Sequence, residues 1–266
     1  MQQDLSSWRA SSLAALAANP LDSKAWTTLG STIKEGEQVR VGWKRYGRRD
    51  CYVRALECDP KNGLAWTNLG HALGESEKVE IGGKARSKKG CFMKALVCDP
   101  SQSYAWINLA SMMKAGDKVT VGGKTYVLRD FQVKILEISP KDWVVWNDLA
   151  AGLELKEHVL VGGKPYMKVD CIAKVLECDP NRTWAWGDLA DILQKIGGQV
   201  QVGGRWYTAR DCYIKILEYF PNRSSAWHNL GLMMGEGESI SIGGKEYTAK
   251  DCFQKACETD RKQNQL

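Results

Sequence analysis

Apolar residues recur three and four positions apart in two kinds of segment, and each kind is repeated along the chain. The first kind contains a tryptophan followed by leucine and a small residue, as in Trp66, Leu69 and Gly70. This spacing puts all three on one side of an α-helix, and we expect the small residue to lie where a second helix comes close. The six copies are AWTTLG, AWTNLG, AWINLA, VWNDLA, AWGDLA and AWHNLG, starting at residues 25, 65, 105, 145, 185 and 226.

The second kind of segment has the same helical spacing. In RDCYVRALECDP, residues 49–60, Asp50 is predicted to be the N-cap of a helix and Pro60 to follow its end. Gly90 replaces the aspartate in one copy, so we expect the helix of that copy to fray at its start. The other copies of the cap are Asp130, Asp170, Asp211 and Asp251.

An alternating segment with paired glycines, such as VTVGGKTY at residues 119–126, separates the two helices. Glycines supply the positive φ angles of a two-residue hairpin turn. This predicts a two-stranded hairpin that packs on the helices through one face. The predicted register pairs Val121 with Lys124, Thr120 with Thr125 and Val119 with Tyr126, and it places Val119, Val121, Tyr126 and the stem of Lys124 on the inner face.

Two details of the hairpin segments refine this interpretation. The match to a phosphate-binding loop fails, because the glycine that must open such a loop is Lys118 here. Pro165 occupies the position of Thr125 in another copy, where a strand needs no N–H donor toward its partner. We therefore expect the hairpins to remain separate two-stranded sheets.

The three segments form one unit that returns every 40 residues, with one step of 41. A period between about 20 and 50 residues is typical of stacked structural repeats. We predict a single mainly α solenoid over residues 1–266, with thirteen helices and a short β-hairpin in each of six repeats. The repeats are residues 23–60, 61–100, 101–140, 141–180, 181–221 and 222–260, preceded by a half-repeat helix at 1–22 and followed by a polar tail at 261–266.

The repeated unit resembles the tetratricopeptide repeat (TPR). The resemblance rests on the W-x-x-L-G frame, on the ending RALECDP at residues 54–60 and on two helices per unit. It implies an α-helical superhelix. The units differ from the family in length, since an ordinary repeat has about 34 residues and each unit here has a hairpin between its helices.

Composition adds little to this picture. The net charge of +6 over 266 residues is too mild to indicate nucleic acid, and no apolar stretch is long enough to span a membrane. No targeting signal is visible, so we expect a cytoplasmic protein whose nine cysteines are reduced core residues. The sequons at Asn181 and Asn222 leave secretion as an alternative.

The functional interpretation depends on side chains that stacking would align, because no group of residues forms a catalytic or metal-binding pattern. We expect a non-catalytic protein without cofactors. The first set, the polar row, precedes the leucine of each tryptophan frame and resembles the asparagine row that contacts peptide backbones in the TPR superhelix of O-GlcNAc transferase. An amide both donates and accepts hydrogen bonds. The polar row consists of Thr28, Asn68, Asn108, Asp148, Asp188 and Asn229.

The preferred function is therefore a scaffold that binds an extended peptide along its concave groove, with basic residues at the centre of the peptide because the middle of the row is acidic. The alternative is an RNA or acidic partner on a second set, the basic edge, at the hairpin tips. A filament formed by stacking of end faces is a further alternative. The basic edge consists of Lys44, Lys84, Lys124, Lys164, Arg205 and Lys245.

Overall fold

The computed structural model describes residues 5–114 and 116–263. Within them the chain forms thirteen α-helices and six two-stranded antiparallel hairpins. The helices are α1 Leu5–Ala18, α2 Ser23–Thr32, α3 Arg48–Cys58, α4 Gly63–Ala72, α5 Lys88–Cys98, α6 Ser103–Ser111, α7 Leu128–Ile138, α8 Trp143–Ala151, α9 Lys168–Cys178, α10 Thr183–Ile196, α11 Ala209–Tyr219, α12 Ser224–Leu232 and α13 Ala249–Gln263.

The strands pair within each hairpin and are numbered β1 to β12 in chain order. They are Gln38–Val41 with Lys44–Gly47, Lys78–Ile81 with Lys84–Ser87, Lys118–Val121 with Lys124–Val127, His158–Val161 with Lys164–Met167, Val200–Val202 with Arg205–Tyr207, and Ser239–Ile242 with Lys245–Thr248. Residues 261–263 of the predicted polar tail continue α13. Residues 264–266 of the tail and residues 1–4 of the predicted half-repeat lie outside the described residues.

The backbone groups the chain into two compact units, Met1–Ile138 and Ser139–Leu266. In the first unit, consecutive helices pack on each other from α1 to α7. In the second unit, consecutive helices pack on each other from α8 to α13. Each hairpin within a unit contacts the helix that follows it. The predicted mainly α repeat fold with a hairpin between paired helices is confirmed, whereas the single solenoid over all 266 residues stays a prediction.

The tryptophan frame forms the core of each repeat, as its spacing predicts. Trp66 and Leu69 are buried, and Gly70 faces the ring of Phe92 on α5 so closely that a Cβ at Gly70 would lie 2.7 Å from Cε1 of Phe92. The same close approach occurs between Gly30 and Tyr52. The small residue therefore allows the paired helices of these repeats to pack together.

The tryptophan also ties each repeat to the loop before it. The indole N–H of Trp66 donates to the carbonyl of Pro60 at 2.9 Å, and the equivalent bond occurs in all six repeats. In five repeats the ring also contacts a hairpin tyrosine, as in Trp106 and Tyr126 with centroids 5.2 Å apart. A buried indole N–H needs an acceptor, and in each repeat the carbonyl of the proline before the first helix supplies it.

The prediction that Asp50 is the N-cap of its helix is wrong. Helix α3 starts earlier, with Gly47 as N-cap, and the Asp50 carboxylate accepts a hydrogen bond from the backbone N–H of Gly47 at 2.8 Å. Asp50 is therefore the third helical residue and reaches back to the cap, as the acidic residue of a capping box does. The same bond is made by Asp130, Asp170, Asp211 and Asp251.

The expected fraying at Gly90 is also wrong. Helix α5 begins at Lys88, and the Ser87 hydroxyl accepts a hydrogen bond from the Gly90 N–H at 3.2 Å. The serine thus caps this helix where the aspartate is missing.

The hairpin register is confirmed pair by pair, including the position of Pro165 opposite Leu160. Val119 and Val121 are buried, whereas the two threonines of the same hairpin face solvent. The six hairpins form separate two-stranded sheets within the described residues, as predicted. The inner face of each hairpin therefore extends the core of its repeat.

An ion pair joins successive repeats at three places inside the units. Arg9 on α1 donates to Glu37 at 2.6 Å and to the carbonyl of Thr32 at the end of α2 at 2.5 Å. Each arginine thus satisfies a helix C-terminal carbonyl and a loop carboxylate together. The other two pairs are Arg49 with Glu77 and Arg210 with Glu238.

The cysteines lie on the second helices and have unpaired thiols. Cys51 and Cys58 share α3, and the pairs Cys91/Cys98 and Cys171/Cys178 likewise share one helix each. Burial raises the pKa of Cys51, Cys91, Cys171 and Cys212 to about 12. Cys257 is exposed, so the expectation that all nine are core residues is wrong for that position.

Candidate functional site

The polar row lies on the first helix of each repeat, two residues after the core tryptophan. Trp66 is buried, whereas Asn68 is half-buried on another side of the same helix. Thr28, Asn68 and Asn108 belong to the first unit, and Asp148, Asp188 and Asn229 to the second. Asp148 and Asp188 are exposed and the other four are half-buried, so the structure keeps the whole row out of the core.

In the first unit the asparagine of α6 is held in place. The Nδ2 of Asn108 lies 3.1 Å from Nε2 of His71 on α4 and donates to the carbonyl of Tyr104 at 2.6 Å. Burial, together with the charge of Lys88, lowers the pKa of His71. A neutral His71 can accept the hydrogen bond from the amide N–H of Asn108, so the side-chain oxygen of Asn108 takes part in neither of these two contacts.

In the second unit a chain of hydrogen bonds links three helices. The Asn229 amide donates to the Tyr213 hydroxyl at 3.1 Å, and this hydroxyl donates to Asp191 at 3.1 Å. Burial and the bond to Asp191 raise the pKa of Tyr213 to about 12. Tyr213 therefore stays protonated and fixes the Asn229 side chain on α12 relative to α10.

Asp188 stands beside this chain of hydrogen bonds. Although Asp188 is exposed, partial desolvation by neighbouring atoms and then the charge of Asp191 raise the pKa of its carboxyl group, and Lys168 opposes the shift only in part. The ammonium of Lys168 donates to the carbonyl of Leu153 at 3.3 Å. The carboxylate of Asp188 would therefore gain from an additional cation at this place.

Asp188, Asp191, Tyr213 and Asn229 line a hollow of about 410 Å³ between α10, α11 and α12. Two members of the polar row, Asp188 and Asn229, lie in its wall. Its apolar surface comes from Trp184, Ile216 and Phe220. The hollow thus combines an apolar wall with carboxylate, amide and hydroxyl groups, which is the usual composition of a binding pocket.

The tetratricopeptide-repeat family model matches residues 51–82, which contain α3 from its fourth residue onward, all of α4 and the strand Lys78–Ile81. The structure repeats this helix arrangement through both units. Residues 51–82 therefore match one tetratricopeptide repeat. The match spans the end of one predicted unit and the start of the next, so it covers the two helices joined by the D-P loop rather than the two separated by a hairpin.

Two solved structures resemble this chain weakly. The crystal structure titled MamA protein is 16% identical with a TM-score of 0.41, and the alignment covers 68% of this chain and 85% of that one. A second crystal structure of MamA is 15% identical with a TM-score of 0.37, covering 83% of this chain and 91% of that one. No curated protein matches the sequence.

An exposed apolar row accompanies the polar row and was not predicted from the sequence. One residue of this row precedes the core tryptophan by two positions in four of the repeats, one helical turn before the polar residue. The row consists of Leu64, Tyr104, Val144 and Trp184, which are 50%, 67%, 45% and 42% exposed. The sequence alone could have revealed this row, because its residues are apolar although they fall outside the apolar face of the tryptophan frame.

The basic edge is exposed in all six repeats. Lys44 and Lys124 place their ammonium groups 5.4 and 5.3 Å from the ring centroids of Tyr46 and Tyr126 in their own hairpins. This supports local packing of these two lysines against tyrosine. A second set of basic residues on the second helices forms ion pairs three residues apart, as in Lys134 with Glu137 at 2.6 Å.

Basic residues are concentrated near the start of the chain. Residues 38–49 contain five Lys and Arg and no acidic residue, whereas residues 239–250 contain two Lys and one Glu. The indole of Trp43 at the first hairpin tip is 88% exposed. The first hairpin is therefore the most cationic of the six, which the average charge of the sequence conceals.

Among the described residues, no three His, Cys, Asp or Glu side chains lie close enough to hold a metal ion. No helix in the same part of the chain combines the length and apolar character that a membrane span requires.

Proposed function

We propose that this TPR chain is a protein-interaction scaffold whose polar row and apolar row together bind an extended segment of a partner protein. The observation that carries the proposal is the pairing of the two rows on the same helices. Tyr104 and Asn108 lie one turn apart on α6, and Trp184 and Asp188 lie one turn apart on α10. Residues four apart lie on the same helix face.

The chemistry of the two rows suits an extended chain. Apolar residues can bury alternate side chains of the partner, and the amides can bond its backbone whatever its sequence. The fixed Asn108 and Asn229 side chains reduce the entropy lost on binding. Asp148 and Asp188 favour Lys or Arg in the part of the partner that binds the second unit.

The experiment compares two variants that carry three substitutions each. Labelled nonapeptides of random sequence serve as probes in fluorescence anisotropy titrations of the full chain. In the first variant Asn68, Asn108 and Asn229 are replaced by Ala, and in the second Lys84, Lys124 and Lys164 are replaced by Gln. The proposal expects weaker binding in the first variant and parent affinity in the second, with circular dichroism showing that both stay folded. The reverse result would move the binding surface to the hairpins.

A second candidate function is recognition of an acidic partner by the basic edge. The concentration of positive charge in residues 38–49 and the exposed ring of Trp43 favour it, since cations attract phosphates or carboxylates and a bare indole can stack on a base. Titration with poly(U) RNA and with polyglutamate tests this candidate. It predicts binding that weakens steeply with salt and is lost on combined replacement of Lys44 and Arg45 by Gln.

A further inference from the structure

We infer that the hollow between α10, α11 and α12 is a specificity pocket for one arginine or lysine side chain of the bound segment. This inference rests on the proposed groove function and adds which side chain the second unit selects.

Gly187 provides the space. It lies inside α10, where a glycine costs about 1 kcal/mol relative to alanine, and a Cβ built on it would meet no atom within 4 Å. No packing against the rest of the chain therefore requires a glycine here, in contrast to Gly70. The same position of the tryptophan frame holds Thr27, Thr67, Ile107, Asn147 and His228 in the other repeats.

The walls fit the stem of a long cationic side chain. Trp184 is 42% exposed and Phe220 is 53% exposed, so both present ring surface to the hollow. Trp143 supports Trp184 from outside, with ring centroids 6.4 Å apart. Methylene groups pack against such rings, and a guanidinium or ammonium is attracted to their faces.

The charges place the cationic head at the carboxylates of Asp188 and Asp191. Three cations face this region, because Arg223 lines the hollow and Lys168 and Lys195 lie on the other side of the two aspartates. Lys168 is bound to the carbonyl of Leu153. The pKa of Asp188 is raised in spite of the positive charge of Lys168. Asp191 accepts a hydrogen bond from the Tyr213 hydroxyl, and within the described residues no ion pair joins Asp188 or Asp191 to these three cations. Both carboxylates can therefore still accept an incoming cation, which they favour over an anion.

The test uses four labelled nonapeptide libraries with random neutral residues and a fixed central Arg, Lys, Gln or Glu. The parent chain should bind the Arg and Lys libraries about tenfold or more tighter than the Gln library. Gly187→Leu should fill the hollow and abolish this preference, and Asp188→Asn should remove one of its two carboxylates and reduce the preference, while both variants still bind the Gln library. As a control, His228→Leu introduces leucine at the equivalent position of the next repeat and should keep the preference.

The outcomes separate the pocket from the groove. Gly187→Leu improves helix propensity, so a loss of preference with an undiminished melting temperature cannot come from unfolding and supports the pocket. A parent chain that binds all four libraries equally, or a Gly187→Leu variant that keeps the cationic preference, would overturn the pocket and leave the groove intact. Binding of none of the libraries would overturn both.

Discussion

Replacing Gly70 by alanine measures how closely the paired helices of one repeat pack. Alanine improves helix propensity by about 1 kcal/mol, but its Cβ would lie 2.7, 2.9 and 3.0 Å from three carbons of the Phe92 ring. Phe92 is fully buried, so the ring cannot turn away freely. Overpacking of a core costs about 1–3 kcal/mol, and we expect a net destabilisation of up to about 2 kcal/mol.

Gly187→Ala is the matched control, because the same atom enters open space there. We expect it to stabilise the chain by up to about 1 kcal/mol. Urea denaturation followed by far-ultraviolet circular dichroism measures both variants against the parent. Gly70→Ala should also cost less stability in a Phe92→Leu background, since the smaller side chain leaves room for the methyl group. If Gly70→Ala is as stable as Gly187→Ala, the close contact between α4 and α5 does not exist.

Two further predictions concern ionisable groups. Alkylation of the folded chain with iodoacetamide at pH 8 should label the exposed Cys257 first and leave Cys51 and Cys171 unmodified, because burial raises the pKa of those two thiols to about 12; equal labelling of all three on peptide mass spectrometry would contradict the helical register. The hydrogen bond from Arg9 lowers the pKa of Glu37 from 4.5 to about 2, so the stabilisation from Glu37 is complete above pH 4.5 and is lost as the pH falls through about 2. The difference in melting temperature between the parent and Glu37→Gln should therefore be present at pH 7 and shrink toward pH 2, and a difference independent of pH would refute the ion pair.

The repeat, its hairpin register and the buried tryptophan frame could be predicted from the sequence because each depends on neighbours within one unit. Helical spacing decides which side of α4 carries Trp66 and Leu69, and a Gly-Gly turn decides that Val121 pairs with Lys124. The sequence wrongly predicted Asp50 as the N-cap. A carboxylate at the N-cap and one at the third helical residue that reaches back to the N-cap give nearly the same sequence pattern.

The candidate site was only half predicted. The polar row follows from its recurrence, and the apolar row could have been found in the same way. The sequence by itself determined the repeated helices and which residues each helix buries, because both follow from the spacing of apolar residues along the chain. Only the tertiary structure decided that Asp191, Tyr213 and Asn229 bond one another and that Gly187 opens a hollow beside them, because these contacts join three helices whose spacing depends on packing and not on any local pattern.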